Sequence, residues 1–238
     1  SHGGDAPDCR AVQALGHPLT SSRSLDYFWA VLSGSLFALS FPRFGHPAIA
    51  WIALTPLLVA LQHGSLTRAF FLGLIAGVVY FTGTIYWTTE VMAVYGHLEF
   101  VVAILVNAAL VAYMALFTAF FAVVMGRLVA RLGSSALLAA ALVWVSTELG
   151  RTYLFTGFPW VLLGYSQMKV LPVAQLASIF GVYGVSALVA MVSAAAAVIV
   201  VEGPQDSLAG APTINHCRLR KAIINANTNT AAYPQCAA

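Results

Sequence analysis

The 238 residues are 60% hydrophobic and only 8% charged, with a formal net charge of +3. Soluble domains carry about 25% charged residues, so this chain lacks the polar material for a water-facing surface and needs lipid as its solvent. Its Lys and Arg residues, 11 in all, are scattered between apolar runs, which excludes the concentrated basic face of a nucleic-acid-binding protein.

The first 24 residues mix Gly, Pro, His and Asp and lack the basic start and short apolar run of a signal peptide. They read as a disordered flank, as does 203–238, which leaves 25–202 as the membrane-embedded unit. A helix needs roughly 17–25 mostly apolar residues to cross a bilayer. The candidate segments are 25–41, 48–62, 69–89, 100–125, 135–152 and 173–201. The expected fold class is therefore all-α, a polytopic transmembrane helix bundle of about six spans. The first two segments are short enough for a tilted hairpin or a thinned bilayer, whereas the fourth and sixth can tilt or emerge. Phe41-Pro42-Arg43-Phe44-Gly45 suits a turn between helices, and Pro42, Pro47 and Pro172 all fall in connections. In the third segment Gly73 and Gly77 form a G-x-x-x-G, followed by Gly83, which allows close helix approach. Asn107 is the main polar residue deep in a span and suits a hydrogen bond between helices.

Placing the N-terminus in the cytoplasm puts Arg10, Arg23, Arg68, Arg127, Arg131, Arg218, Arg220 and Lys221 inside. Arg43, Arg151 and Lys169 then lie outside, so the positive-inside rule favours this orientation, and an even number of spans returns the C-terminus to the cytoplasm. Trp51, Trp87, Trp144 and Trp160 gather near the outer surface, with Tyr86, Tyr95, Tyr153 and Tyr165; Trp29 alone among the tryptophans lies near the inner one. An aromatic belt is expected at both interfaces, and the asymmetry favours a working surface outside. Cys9, Cys217 and Cys236 sit in the polar ends without metal-ligand spacing or a disulfide framework, so no metal and no cofactor is expected.

The most informative stretch is 144–167. Glu148 and Arg151 are spaced i,i+3 on one helix face at the end of the fifth segment, where each makes the other tolerable at membrane depth. Such a pair either pins the helix end or clamps a lipid headgroup. Thr156-Gly157-Phe158-Pro159-Trp160 is a turn signal set in aromatic residues, and its backbone must lie at the interface or against protein. Phe158 and Trp160 then either touch acyl chains or anchor the loop.

Trp144-x3-Glu148-x2-Arg151, Thr156-Gly157-Phe158-Pro159-Trp160 and Gly164-Tyr165-Ser166-Gln167 together resemble the pattern of bacterial apolipoprotein N-acyltransferases. Ser40-Phe41-Pro42 before Trp51, Gly83 with Tyr86-Trp87, Ala112-Tyr113, and the run from Leu176 to Ser186 fit the same family, so the resemblance covers about 28–201. It implies an inner-membrane helix bundle with an outward-facing nitrilase-like domain inserted before the last helix. The Glu-Lys-Cys triad of that domain takes an acyl chain from phospholipid as a thioester. It passes the chain to the amino group of a lipoprotein's N-terminal diacylglyceryl-cysteine, a covalent route that splits one hard transfer into two.

No residue of that triad carries over to this sequence. The 34 residues after Pro204 are too few for such a domain, and truncation or frameshift is the expected cause, with inactivity of the isolated chain as the consequence. The resemblance implies a phospholipid acyl donor and a lipoprotein N-terminus as partners, the latter through the missing domain. Trp160, Phe158, Tyr165 and Gln167 are expected to line an outer mouth together with Trp87, while Glu148 and Arg151 orient the loop or a headgroup. The alternative is a small transporter or a scaffold for a partner protein. Transporters show ionisable groups at mid-membrane and internal repeats, and neither is evident in this sequence.

Overall fold

The computed structural model describes residues 23–41, 44–62, 64–154 and 157–202. Most of both expected flanks therefore lies outside the described residues, with all three cysteines, Arg10, Pro42, Arg43, Thr156 and the basic residues of the tail. Among the described residues every regular element is helical, as the apolar periodicity requires.

Helix α1 is Arg23–Ser40. The second apolar segment is broken into a 3-10 turn, Pro47–Ile49, and two short helices, α2 (Ala50–Ala53) and α3 (Thr55–Ala60). Pro47 and Pro56 each open a piece, where a missing N–H costs nothing. Helix α4, Leu66–Ile85, is capped by Ser65, whose hydroxyl accepts from the Arg68 N–H. A bend at Tyr86 leads into α5, Trp87–Val94. Helix α6, Phe100–Leu132, is 33 residues and ends where Gly133 adopts a φ of 72°. A 3-10 turn, Ser134–Ala139, precedes α7, Ala140–Tyr153. Finally come α8, Leu171–Ala174, and α9, Ala177–Glu202, with one non-helical residue at Gly181.

Among the described residues three helices are long and apolar enough to cross a membrane: α4, α6 and 177–201 within α9. The other expected spans are helical at the expected places but shorter or broken. Helix α1 is 18 residues and carries Asp26 in its first turn. The outer faces are apolar, with Phe71, Phe120, Leu142 and Ile199 all exposed, as lipid-facing surfaces are.

Packing is closest where side chains are smallest. A Cβ added at Gly73 would lie 2.5 Å from the Ala122 Cβ, and one at Gly77 would lie 2.8 Å from the Ala115 Cα, so α4 and α6 meet backbone to backbone. Asn107 bridges helices as expected, accepting from the Thr88 hydroxyl of α5 at 2.8 Å. The broken segment is held on both sides by hydroxyls. Ser33 of α1 donates to Ala53 O, Thr55 donates to Ser193 O of α9, and Ser193 donates back to Trp51 O. At the bundle end distant from the aromatic loop, Asp26 of α1 pairs with Arg68 of α4.

Gly77→Val forces α4 away from α6 and is expected to lower stability by about 1–3 kcal/mol, read from thermal unfolding in detergent. Gly126→Ala adds a Cβ 3.2 Å from the Ala69 Cβ, a contact a small shift absorbs, and serves as the mild comparison.

Candidate functional site

Glu148 and Arg151 occupy the last two turns of α7 and are 2% and 3% exposed, so both charges are inside the protein. Their closest atoms, Arg151 Nη2 and Glu148 Oε1, are 3.7 Å apart, beyond a hydrogen bond. Each makes its bonds elsewhere. Glu148 Oε1 accepts from Trp144 Nε1 at 3.0 Å and from the Leu163 N–H at 2.7 Å. Arg151 Nη2 donates to Val161 O at 2.8 Å, and the guanidinium sits 5.3 Å from the centre of the Phe81 ring. Tyr80 OH donates to the same Val161 oxygen at 2.9 Å.

These bonds seat the stretch 157–168, irregular as far as Leu162 and a 3-10 turn over Leu163–Gln167, on the bundle. Val161 has a φ of 58°, rare for a β-branched residue, and its carbonyl is the one gripped from two sides. Further along, the Gly164 N–H donates to Ser186 Oγ at 2.8 Å. A Cβ at Gly164 would lie 2.5 Å from Val182 O, so glycine is required where the loop crosses α9. Gln167 is fully buried and donates to Pro47 O at 2.8 Å, tying the loop to the start of the broken segment. Behind it, Trp144 stacks on Phe37 with centroids 5.2 Å apart and meets Phe121 edge-on, while Phe37 also meets Tyr80.

The loop roofs a cavity of about 670 Å³. Phe41, Phe44 and Ala38 form one wall, and Gly83, Thr84 and Trp87 form the other. Trp160, Tyr165 and Met168 close over it, and the lining is mainly apolar. Trp160 is 55% exposed and packs against Trp87 with ring centroids 5.7 Å apart. The Trp87 indole N–H is occupied by Thr84 O at 3.1 Å.

Of the residues singled out in the sequence, Trp160, Tyr165 and Trp87 reach this cavity. Phe158 stands beside it, 6.4 Å from the Trp160 ring. Glu148, Arg151 and Gln167 lie beneath the loop and hold it, with no place in the cavity wall. Sequence reasoning missed Tyr80 and Val161, whose bond spans 81 positions of chain. Ser186 was visible only within the wider resemblance, Phe41 as a turn residue and Gly83 as a small packing residue. Among the described residues no three His, Cys, Asp or Glu side chains gather to hold a metal, and the described lining holds no cysteine, lysine or carboxylate.

Glu148→Ala leaves the Arg151 charge, the Leu163 N–H and the Trp144 indole short of a partner. The expected cost is about 3–5 kcal/mol, seen as a lowered unfolding midpoint together with new protease cleavage within 157–168. Glu148→Gln keeps one carbonyl acceptor and is expected to cost less.

Residues 33–195 match the family model described as the apolipoprotein N-acyltransferase N-terminal domain. The chain is 46% identical over 154 residues to the apolipoprotein N-acyltransferase of Geobacter metallireducens, covering 65% of this chain and 29% of that protein. It is 35% identical over 151 residues to the enzyme of the same name from Pasteurella multocida, covering 63% of this chain and 28% of the relative. For that of Vibrio parahaemolyticus the identity is 30% over 151 residues, covering 63% and 30%. The aligned region thus spans under a third of the length of these relatives. With the matched stretch running from α1 through α9 and containing the whole loop-seating network, the chain belongs to the apolipoprotein N-acyltransferase family through that family's N-terminal domain.

Proposed function

We propose that this chain is the lipid-handling membrane part of an apolipoprotein N-acyltransferase, and that the cavity under Trp160 is where a phospholipid acyl donor is held. The observation that carries the reading is the 670 Å³ apolar cavity with the Trp87–Trp160 pair at its rim. A tryptophan with an apolar body and a polar tip suits the boundary between acyl chains and headgroups, and this rim is where a lipid diffusing sideways would meet the protein. Glu148, Arg151, Tyr80 and Gln167 act through the loop: they fix where Trp160 and Tyr165 stand.

In this reading the longer protein transfers the acyl chain to the N-terminal diacylglyceryl-cysteine of a lipoprotein, and the bundle at 25–202 brings donor and acceptor to the same face. The reading assigns the transfer chemistry to another part of that longer protein and lipid holding to this one. The flanks 1–24 and 203–238 are assigned no part in lipid handling. The bundle is assigned to the bacterial inner membrane with both termini in the cytoplasm and the aromatic loop outside, on the distribution of Arg and Lys along the chain.

Trp160→Ala removes the exposed half of the rim. It is expected to weaken binding of a fluorescent phospholipid by roughly tenfold, about the value of a partly buried aromatic side chain, with the unfolding midpoint little changed. Unchanged affinity would remove Trp160 from the site. The orientation is tested in a background lacking Cys9, Cys217 and Cys236. Tyr153→Cys is expected to react with a membrane-impermeant maleimide in spheroplasts, and Leu132→Cys only after permeabilisation; both positions are exposed.

A further inference from the structure

The buried pair that seats the loop is not fully bonded by protein. Glu148 Oε1 accepts from Trp144 and from the Leu163 N–H, but the second oxygen, Oε2, has no hydrogen-bond partner among the described residues. The same is true of Arg151 Nε, and both atoms are buried. The closest approach of the two side chains, at 3.7 Å, is too long for a direct bond between them. A carboxylate oxygen and a guanidinium N–H that give up water without a replacement are among the costliest groups a protein can bury.

Glu148 and Arg151 also line a small cavity of about 10 Å³ where α4, α6 and α7 meet. Phe81 of α4, Phe117 and Thr118 of α6, and Trp144 and Thr147 of α7 complete its wall. That is room for one water molecule and for no larger group. Thr147 donates its hydroxyl hydrogen to Trp144 O at 2.7 Å, so toward the cavity its oxygen can only accept. The Thr118 hydroxyl can turn to donate or to accept.

The chemistry of the wall selects the occupant. A metal cation would find one carboxylate with a guanidinium beside it, and an anion would face that carboxylate. A methyl group would leave both charged side chains short of a partner. Water has two hydrogens to give and can accept two. The wall offers acceptors in Oε2 and Thr147, a donor in Arg151 Nε, and the rotating hydroxyl of Thr118. We propose that this cavity binds one water molecule, which donates to Glu148 Oε2 and accepts from Arg151 Nε, and so completes the pair that holds the loop. Through Thr118 the same water reaches α6, a helix that the direct bonds of Glu148 and Arg151 do not touch. The rival partner for Oε2 is the Ser186 hydroxyl, which faces the carboxylate from α9 and accepts from the Gly164 N–H. The water site is independent of what occupies the cavity under Trp160.

X-ray radiolysis of the full chain in nanodiscs tests it, because hydroxyl radicals born at a bound water mark the side chains that touch that water. Phe81, Phe37 and Phe121 are all fully buried, and of the three only Phe81 is in the cavity wall. Modification of Phe81 is expected in excess of Phe37 and Phe121. Thr147→Ile removes one hydroxyl and adds a carbon beside the cavity, and is expected to bring Phe81 down to the level of the other two. Equal modification of the three rings in the parent chain overturns the proposal, as does a Phe81 label that survives Thr147→Ile in a folded protein. A cryo-EM map fine enough to show ordered water keeps the test open if that variant does not fold. Density between Glu148 Oε2 and Arg151 Nε supports the site. Oε2 bonded to Ser186 or directly to Arg151, with no density between the pair, overturns it.

Discussion

Backbone that leaves the helical path inside a membrane must find a partner for each N–H and C=O it frees, because hydrocarbon supplies none. The chain leaves that path at 47–60 and again at 157–168, and much of the rest is arranged around those two departures. At the first, hydroxyls suffice: Ser33, Thr55 and Ser193 bond the short helices to α1 and α9. The second has no helical turn before Leu163, and there the protein uses a buried carboxylate, a guanidinium, a tyrosine hydroxyl and an amide.

The choice of charged groups follows from geometry. One oxygen of Glu148 accepts at once from its own helix, through Trp144, and from the loop, through Leu163. Arg151 reaches past it to Val161 O, two residues upstream in the loop. The two charges offset each other at 3.7 Å while each keeps a strong, charge-assisted bond to something that would otherwise move. Removing water from both charges is costly, and well-directed bonds of this kind are what offsets it. The result is a loop whose position is set by the bundle, with Trp160 and Tyr165 partly exposed at the wall of a cavity.

Much of this was legible where the cause is local. Apolar runs placed the helical segments, and an i,i+3 spacing placed Glu148 and Arg151 on one face. The G-x-x-x-G of Gly73 and Gly77 announced the tight α4–α6 contact. Other features have causes that no local spacing records. Helix α6 runs on to Leu132 because Arg127 and Arg131 interrupt apolarity without interrupting helix formation, which stops only at Gly133. Tyr80 is one more residue of an apolar span until α7 and the loop pack over it. Gln167, in a motif that pointed to an outer mouth, turns inward to a carbonyl 120 positions earlier. Whether a polar side chain faces a ligand or an orphaned carbonyl is decided by elements that meet only in three dimensions.

The bond from Gln167 to Pro47 O, and that from the Gly164 N–H to Ser186, also impose an order of events in biosynthesis. A ribosome delivers Pro47 long before Gln167, and Ser186 only after the whole loop has been made. The carbonyl of Pro47 therefore exists without its Gln167 partner until α4, α6 and α7 have been made. The loop itself emerges with Glu148 and Arg151 ready to hold its first half and the Pro47 carbonyl ready for Gln167, while the partner of the Gly164 N–H is still to be made. The loop's full set of bonds is therefore available only once α9 has been made and has packed against the bundle.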